Sequence, residues 1–432
     1  MLSWLTHRDN RTRLFRWSAI LGGFAVVQLL VQALNALAGF LLVRTMEKPD
    51  YAWFTIANGM SATLSVLSDL GVGSAVTSIG GAVWQDKASL KGLVQAALRL
   101  RLKLAILSSV VVTGISFWLL LRNGTGLACA LGLTALIVAP IWQISTTAVL
   151  NVVNRLHSRT RQLQVADLVP ALVRTGLTVL LINLGIITTF SALLAVLIAQ
   201  FIQFVIVKRQ VLPLLGLDVE PHDVQEHTAN LWKLVRQMMP NCVFLCIQGQ
   251  LTTWLISIFA STSEVADLGA LNRVGIVFAV FAGPVVQFVA PTFARAQNLK
   301  RLVVIAVALF WSFLCGTLIL VLAAWFKGDW FLWLLGANYG HLHQELILIL
   351  IGMALGSLTN MTWALNISRG WVNLSWLYIP LTIAAQIVSV SLFQLNTVIG
   401  LALFGITSAG VQSLHAGIVC LLGLLRWKPA KS

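Results

Sequence analysis

LAILSSVVVTGISFWLLL, residues 104–121, contains no charged residue and no proline and is bracketed by Lys103 and Arg122. A helix rises about 1.5 Å per residue, so this run reaches about 27 Å, close to the roughly 30 Å of a bilayer's hydrocarbon core. Segments of the same kind recur at 17–43, 52–76, 127–150, 164–187, 191–207, 239–260, 268–293, 302–326, 344–367, 375–393 and 398–425, which predicts twelve spans. They are rich in Gly, Leu and Val without strict alternation, and lipid admits only helices or closed barrels, so the expected fold is an all-α polytopic membrane protein. Composition agrees: of 432 residues, 58% are hydrophobic and 10% charged, with a mean hydropathy of +0.88. A soluble enzyme is excluded, because soluble domains carry about 25% charged residues.

The net charge of +15 has an explanation in topology. Basic residues cluster in alternate loops: Arg8 to Arg16, Lys87 to Lys103, Arg155 to Arg161, Lys208 to Arg236, Arg295 to Arg301, Arg369, and Arg426 to Lys431. The intervening loops hold only Arg44, Lys48, Arg122 and Lys327. The positive-inside rule then places both termini in the cytoplasm, and nucleic acid is not a partner. Segment one is too long for a cleavable signal and reads as a retained anchor. The five cysteines all fall in spans and do not form a disulfide framework or a metal site.

A polar connection at 208–238 divides six spans from six. The expected layout is a cytoplasmic N-terminus (1–16), a first bundle (17–207), this linker, a second bundle (239–425) and a cytoplasmic C-terminus (426–432). Pro49-Asp50-Tyr51-Ala52 with Asn58 matches Ser263-Glu264-Val265-Ala266 with Asn272 at an offset of 214 residues. Two six-span repeats that both start inside would be parallel, and such repeats build alternating-access transporters with the substrate between the halves. No loop is large enough for a catalytic domain, so the chain is read as not an enzyme, with no catalytic residues and no cofactor.

Charge inside a bilayer is costly and marks function or pairing. Arg174 lies about 15 Å into span five and Arg273 about 8 Å into span eight. Arg174 either lines a cavity and touches an anionic substrate or pairs with a neighbouring carboxylate. Arg273 either does the same or snorkels to the outer interface. Asp69 and Asp167, near the cytoplasmic edge, are read as caps or ion pairs, or as cavity groups. His415 is expected to hydrogen-bond between helices. Pro140, Pro170, Pro284 and Pro380 interrupt spans, and Gly352 and Gly356 mark close packing. The basic stretch 85–103 is expected to lie along the membrane surface, and 327–340, with Trp330 and Trp333, to form an interfacial helix.

FLLVRTMEKPDYAWFTIANGMSATLSVLSDLGVGSAV, residues 40–76, resembles the first two spans of polysaccharide flippases: Arg44, then Asp50-Tyr51, then Asp69-Leu70-Gly71. Glu264 to Pro291, with Asn272-Arg273 and Pro284, is similar to the family's eighth span, and Leu334-Leu335-Gly336 with Tyr339 to a later connection. The resemblance implies the multidrug/oligosaccharidyl-lipid/polysaccharide exporter superfamily, with two six-helix bundles forming a V around a central cavity. It implies a bacterial inner-membrane flippase for an undecaprenyl-diphosphate-linked oligosaccharide such as an O-antigen unit, working beside other polysaccharide-assembly proteins. Arg174, Arg273, Asp69, Asp167, Asn58 and Asn272 are the implied translocation residues. Coupling would be to H+, Na+ or the membrane potential. Glycan contacts would come from amides such as Gln28, Gln32, Asn35, Gln248 and Gln386, which otherwise serve as interhelical bonds. The alternative is a multidrug or cation antiporter of the same superfamily, which needs carboxylates deep in its cavity.

Overall fold

The computed structural model describes residues 8–157, 159–216, 220–275, 278, 289, 292–293, 296, 298–371 and 374–426. Among them all regular structure is helical: α1 Arg8–Thr45, α2 Lys48–Asp69, α3 Val72–Val83, α4 Lys87–Arg122, α5 Leu127–Val138, α6 Ile141–Leu156, α7 Thr160–Asn183, α8 Thr189–Leu215, α9 Val224–Phe259, α10 Thr262–Val274, α11 Leu299–Leu335, α12 His343–Ser368, α13 Tyr378–Leu392 and α14 Val398–Leu425. Among the described residues nine segments, with α5 and α6 taken as one, are long and apolar enough to cross a membrane, and the bent pair α2–α3 makes a tenth. The expected eleventh span is the 15-residue α13. Most of the expected eighth span, with Pro284, lies outside the described residues.

The bends have local causes. Pro140 sits between α5 and α6, where its missing N–H leaves no ladder bond to carry the helix through. Pro170 lies inside a continuous α7, and Pro213, expected in a loop, lies inside α8. Pro380, expected to interrupt a span, is instead in the first turn of α13, where a helix needs no N–H from it. The 40° bend after α2 passes through Leu70 (φ 39) and Gly71 (φ 93). Gly71 meets that left-handed angle without strain, and its Cα faces Met238 so closely that a Cβ would lie 3.2 Å from the Met238 Cβ.

One sequence expectation is corrected. The stretch 85–103 is not a separate surface helix; it is the beginning of α4. Its Leu90, Leu93, Val94, Ala97, Leu100 and Leu104 recur every three or four residues and are all buried, so the alternation with basic residues is a helical stripe facing a core. Residues 328–335 form a short helix set off from the rest of α11 by a kink at Lys327 (φ −134, ψ 32), in keeping with the short helix expected there, and Trp330 and Trp333 stand exposed on it.

The chain divides into two compact units. Unit 1 comprises residues 1–38, 57–118 and 127–247. Its core is built of small and branched side chains, among them Val72, Val76, Leu93, Ala97, Val153, Val207, Leu231 and Val235. Unit 2 comprises 39–56, 119–126 and 248–432. There α12 and α14 are joined by Thr359 and Ser413 hydroxyls 2.7 Å apart and by Asn366 Nδ2 donating to Ala416 O at 3.0 Å. Gly352 lets α12 approach Ile406, while nothing faces Gly356. His415 donates from Nε2 to Leu374 O at 3.0 Å, so its partner is the turn before α13 and not the facing helix the sequence reading expected.

Unit 2 also contains Pro49-Asp50-Tyr51-Ala52 and Ser263-Glu264-Val265-Ala266, while Asn58 falls in unit 1. The Cα of Gly269 lies against Thr55, where a Cβ would overlap the threonine side chain. These two positions are 214 residues apart, the same offset as the repeat.

Candidate functional site

Unit 1 encloses a cavity of about 720 Å³ that opens beside a second of about 330 Å³, with Val196, Gln200 and Gln203 of α8 forming walls of both. The larger one is floored by the bend after α2. Asp69, the last residue of α2, caps α3 by accepting from the Gly73 N–H at 3.1 Å. The same Oδ1 accepts from Arg101 Nη1 at 2.7 Å, and Arg101 is 3% exposed in the α4 stripe. Asp69 is therefore both cap and ion pair while still lining the cavity. Asn58 lines it from one face of α2, and α6 adds Thr147, Asn151 and Arg155.

The smaller cavity is walled by α1, α7 and α8. Gln28, Gln32 and Asn35 project from one face of α1, and Asp167 and Arg174, seven residues apart, from one face of α7. Asp167 is held by amides: Gln28 Nε2 donates to Oδ2 at 3.3 Å and Gln203 Nε2 to Oδ1 at 3.5 Å. Thr175, next to Arg174, fixes α7 to α1 by donating to Leu34 O at 3.1 Å.

The two recesses together present three guanidinium groups, two carboxylates and seven carboxamides: Arg101, Arg155 and Arg174; Asp69 and Asp167; Gln28, Gln32, Asn35, Asn58, Asn151, Gln200 and Gln203. One guanidinium and one carboxylate are spent on each other. Three acceptor-bearing groups in the lining, Gln200 Oε1, Asn151 Oδ1 and Thr147 Oγ1, are buried without a protein hydrogen-bond partner. A buried acceptor left unsatisfied costs about 1–3 kcal/mol, which a ligand rich in hydroxyl donors removes on binding.

Of the six residues singled out in the sequence, Arg174, Asp167, Asp69 and Asn58 line these joined cavities. Arg273 and Asn272 belong to unit 2. There Arg273 is engaged: Nε donates to Tyr51 Oη at 3.2 Å, the guanidinium lies 5.9 Å over Phe54, and Gly39 clears room for it. Asn272 is exposed. Beside them Lys48 Nζ pairs with Asp267 at 2.9 Å, and the Tyr339 phenol is pushed up by burial and by neighbouring Tyr51 and Asp267. Gln248 and Gln386, candidate glycan contacts, bond to each other and Gln386 to Ser408 at 2.8 Å, so they are interhelical bonds.

Sequence reasoning did not pick out Thr147, Asn151, Arg155, Gln200, Gln203 or Arg101. Their signal was spacing. Thr147, Asn151 and Arg155 recur every four residues along α6, and Gln200 and Gln203 are three apart on α8, so each set is a polar stripe on an otherwise apolar helix. Among the described residues no cluster of His, Cys, Asp or Glu has the grouping of a metal site.

No protein-family profile matches the chain, and no curated protein sequence matches it. Solved structures do. One is a multidrug resistance MATE family transporter of the MOP superfamily in an inward-facing conformation, 16% identical over 93% of this chain and 98% of that one, with a TM-score of 0.69. Another is a MOP superfamily transporter from Pyrococcus furiosus, described by the reverse polarity of its binding pocket, 15% identical over 94% and 95%, with a TM-score of 0.63. A third is a MATE family transporter in an outward-facing conformation, 14% identical over 93% and 94%, with a TM-score of 0.62. The fold of this chain is that of MOP superfamily transporters, and it is shared almost end to end.

Proposed function

We propose that the chain is an alternating-access transporter whose cargo is an amphiphile with an anionic, hydroxyl-rich head, an undecaprenyl-diphosphate-linked oligosaccharide moved from the inner to the outer leaflet of a bacterial inner membrane. The observation that carries this reading is the lining of the unit 1 cavities. Guanidinium groups outnumber carboxylates there, and seven carboxamides surround buried acceptors that lack partners. Arginine binds phosphate oxygens bidentately, and carboxamides exchange hydrogen bonds with sugar hydroxyls from either end. The lipid tail stays in the bilayer while the head crosses. Neighbours of the same fold solved facing inward and facing outward support the alternating-access part. Coupling to H+, Na+ or the membrane potential and work beside other polysaccharide-assembly proteins belong to the same proposal.

A second reading is a multidrug or cation antiporter. The neighbours named as multidrug resistance transporters favour it, and so does Asp167, a carboxylate in the lining that accepts from the Gln28 and Gln203 amides. Against it stands the surplus of guanidinium groups, which repels a cation from the same space.

Deleting the gene and extracting polyprenyl lipids for mass spectrometry separates the two. Accumulation of one undecaprenyl-diphosphate oligosaccharide with loss of a surface polymer supports the flippase. An unchanged lipid pool with new sensitivity to cationic drugs supports the antiporter. In the complemented strain, Arg174→Ala is expected to reproduce the deletion phenotype with normal membrane insertion, and full function of that variant removes Arg174 from the cargo path.

A further inference from the structure

Unit 2 carries an apolar groove of about 350 Å³ on the face where α11, α12 and α14 meet. Phe310 and Phe313 form one wall and Met361 a second, while Gly417, Cys420 and Leu424 form the third. Further along α14 lies a recess of about 220 Å³ that is lined by Trp371, Gly423 and Arg426. The two are joined through one packed cluster. Leu424 of the groove and Trp371 of the recess both rest on Phe293 and Leu365, and the indole lies so close to α14 that a Cβ on Gly423 would overlap it.

The recess end is cationic. Arg426 is exposed at the C-cap of α14. Arg369, the C-cap of α12, donates to Ala296 O and stacks 5.8 Å over Phe293, whose ring meets Trp371 edge-on at 5.6 Å. Arg369 thus stands on the aromatic cluster between groove and recess and Arg426 lines the recess, both at the end of α12 and α14 that the Lys/Arg bias assigns to the cytoplasmic side.

The length identifies the occupant. From Ser413 to Leu424 the groove follows α14 for about 17 Å, and half of a bilayer's hydrocarbon core is about 15 Å. A groove one leaflet long, dry along its length and cationic at its mouth, matches one acyl chain and the phosphate of a single-leaflet lipid. A polyprenyl chain of many isoprene units runs well past both ends.

We propose that α11, α12 and α14 hold an anionic diacyl phospholipid of the cytoplasmic leaflet, its chain in the groove and its phosphate at Arg426 and Arg369. The site shares no residue with the unit 1 cavities, so it stands or falls independently of the cargo. A resident lipid there would fix the packing of three helices of unit 2 and make transport sensitive to headgroup composition.

The test is native mass spectrometry of the delipidated full chain with equal concentrations of phosphatidylglycerol, phosphatidylcholine and undecaprenyl phosphate. The wild type is expected to retain one phosphatidylglycerol in preference to phosphatidylcholine. Arg426→Gln is expected to cut that preference about fivefold, since one basic group at a membrane surface contributes that much to anionic-lipid binding. Gly417→Leu is expected to abolish retention of both phospholipids. A Cβ at Gly417 meets nothing within 4 Å, so the leucine fills the groove without disturbing the helix, and thermal unfolding of both variants should match the wild type. Equal retention of the two phospholipids by the wild type, undiminished phosphatidylglycerol on Gly417→Leu, or displacement of phosphatidylglycerol by undecaprenyl phosphate overturns the proposal.

Discussion

Removing Asp69 should destabilise the protein more than removing its partner Arg101, although both changes break the same bond. The asymmetry comes from burial. The Arg101 side chain is 4% exposed and that of Asp69 33% exposed, so each residue has a different fallback when its partner is gone. In Asp69→Ala the guanidinium is left charged on a side chain that is nearly buried, and stranding a buried charge costs about 3–5 kcal/mol. The same change removes the acceptor that caps α3 at Gly73, worth about 1 kcal/mol. In Arg101→Met the carboxylate keeps the Gly73 N–H and turns to water in the cavity, which limits the loss to about 1 kcal/mol. The double variant Asp69→Asn with Arg101→Met keeps the cap and buries no charge. It should therefore recover most of what Asp69→Ala loses. Unfolding in a mixed-detergent titration, followed by the fluorescence of the 16 tryptophans, measures all three. Equal midpoints for Asp69→Ala and the wild type, or a larger loss for Arg101→Met than for Asp69→Ala, would refute the argument that burial sets the cost.

Five further outcomes are expected. Gly71→Ala should cost about 1–2 kcal/mol in the same titration, because a Cβ is strained at φ 93 and meets Met238. Gly269→Ala should disrupt the contact with Thr55, and adding Thr55→Gly should restore the unfolding midpoint; failure of that rescue removes the close approach as the cause. Asn151→Leu and Gln200→Leu should abolish complementation while leaving the amount of inserted protein unchanged on a membrane blot, since each removes a buried lining acceptor without touching an ion pair. Tyr339 should ionise last among the tyrosines that titrate in an alkaline absorbance scan. Its folded-state pKa is raised above the unfolded value near 10, so the stability this contributes is complete below about pH 10 and is lost as pH rises further. Tyr339→Phe should be neutral or slightly stabilising, as the buried hydroxyl has no hydrogen-bond partner.

The sequence alone determined the class of the fold, because the cost of exposing a polar backbone to lipid leaves so few options. The run at 104–121 and its relatives could only be helices, and the break at Pro140 and the four intramembrane charges were readable in one dimension, whereas the bend at Leu70 and Gly71 inside the expected second span was not, and most of the expected 208–238 linker is the end of α8 and the start of α9. Arg174, Asp167, Asp69 and Asn58 were legible as cavity residues because charge and amide are rare in spans and therefore conspicuous.

Other features needed three dimensions. The fate of 85–103 turned on whether Leu90, Leu93 and Leu100 met a core or a membrane surface, and a helical stripe looks the same in both cases until its partners are known. Gln248 and Gln386 read like Gln28 and Gln32, yet one pair closes on itself and the other faces a cavity; the difference lies in which helices stand opposite. Arg273 looked as available as Arg174 until Tyr51, Phe54 and Gly39 enclosed it, residues more than two hundred positions away in the chain. Periodicity and depth are local properties and survive in a string of letters. Pairing is decided by non-local contacts, and only the tertiary structure brings those partners within hydrogen-bond reach.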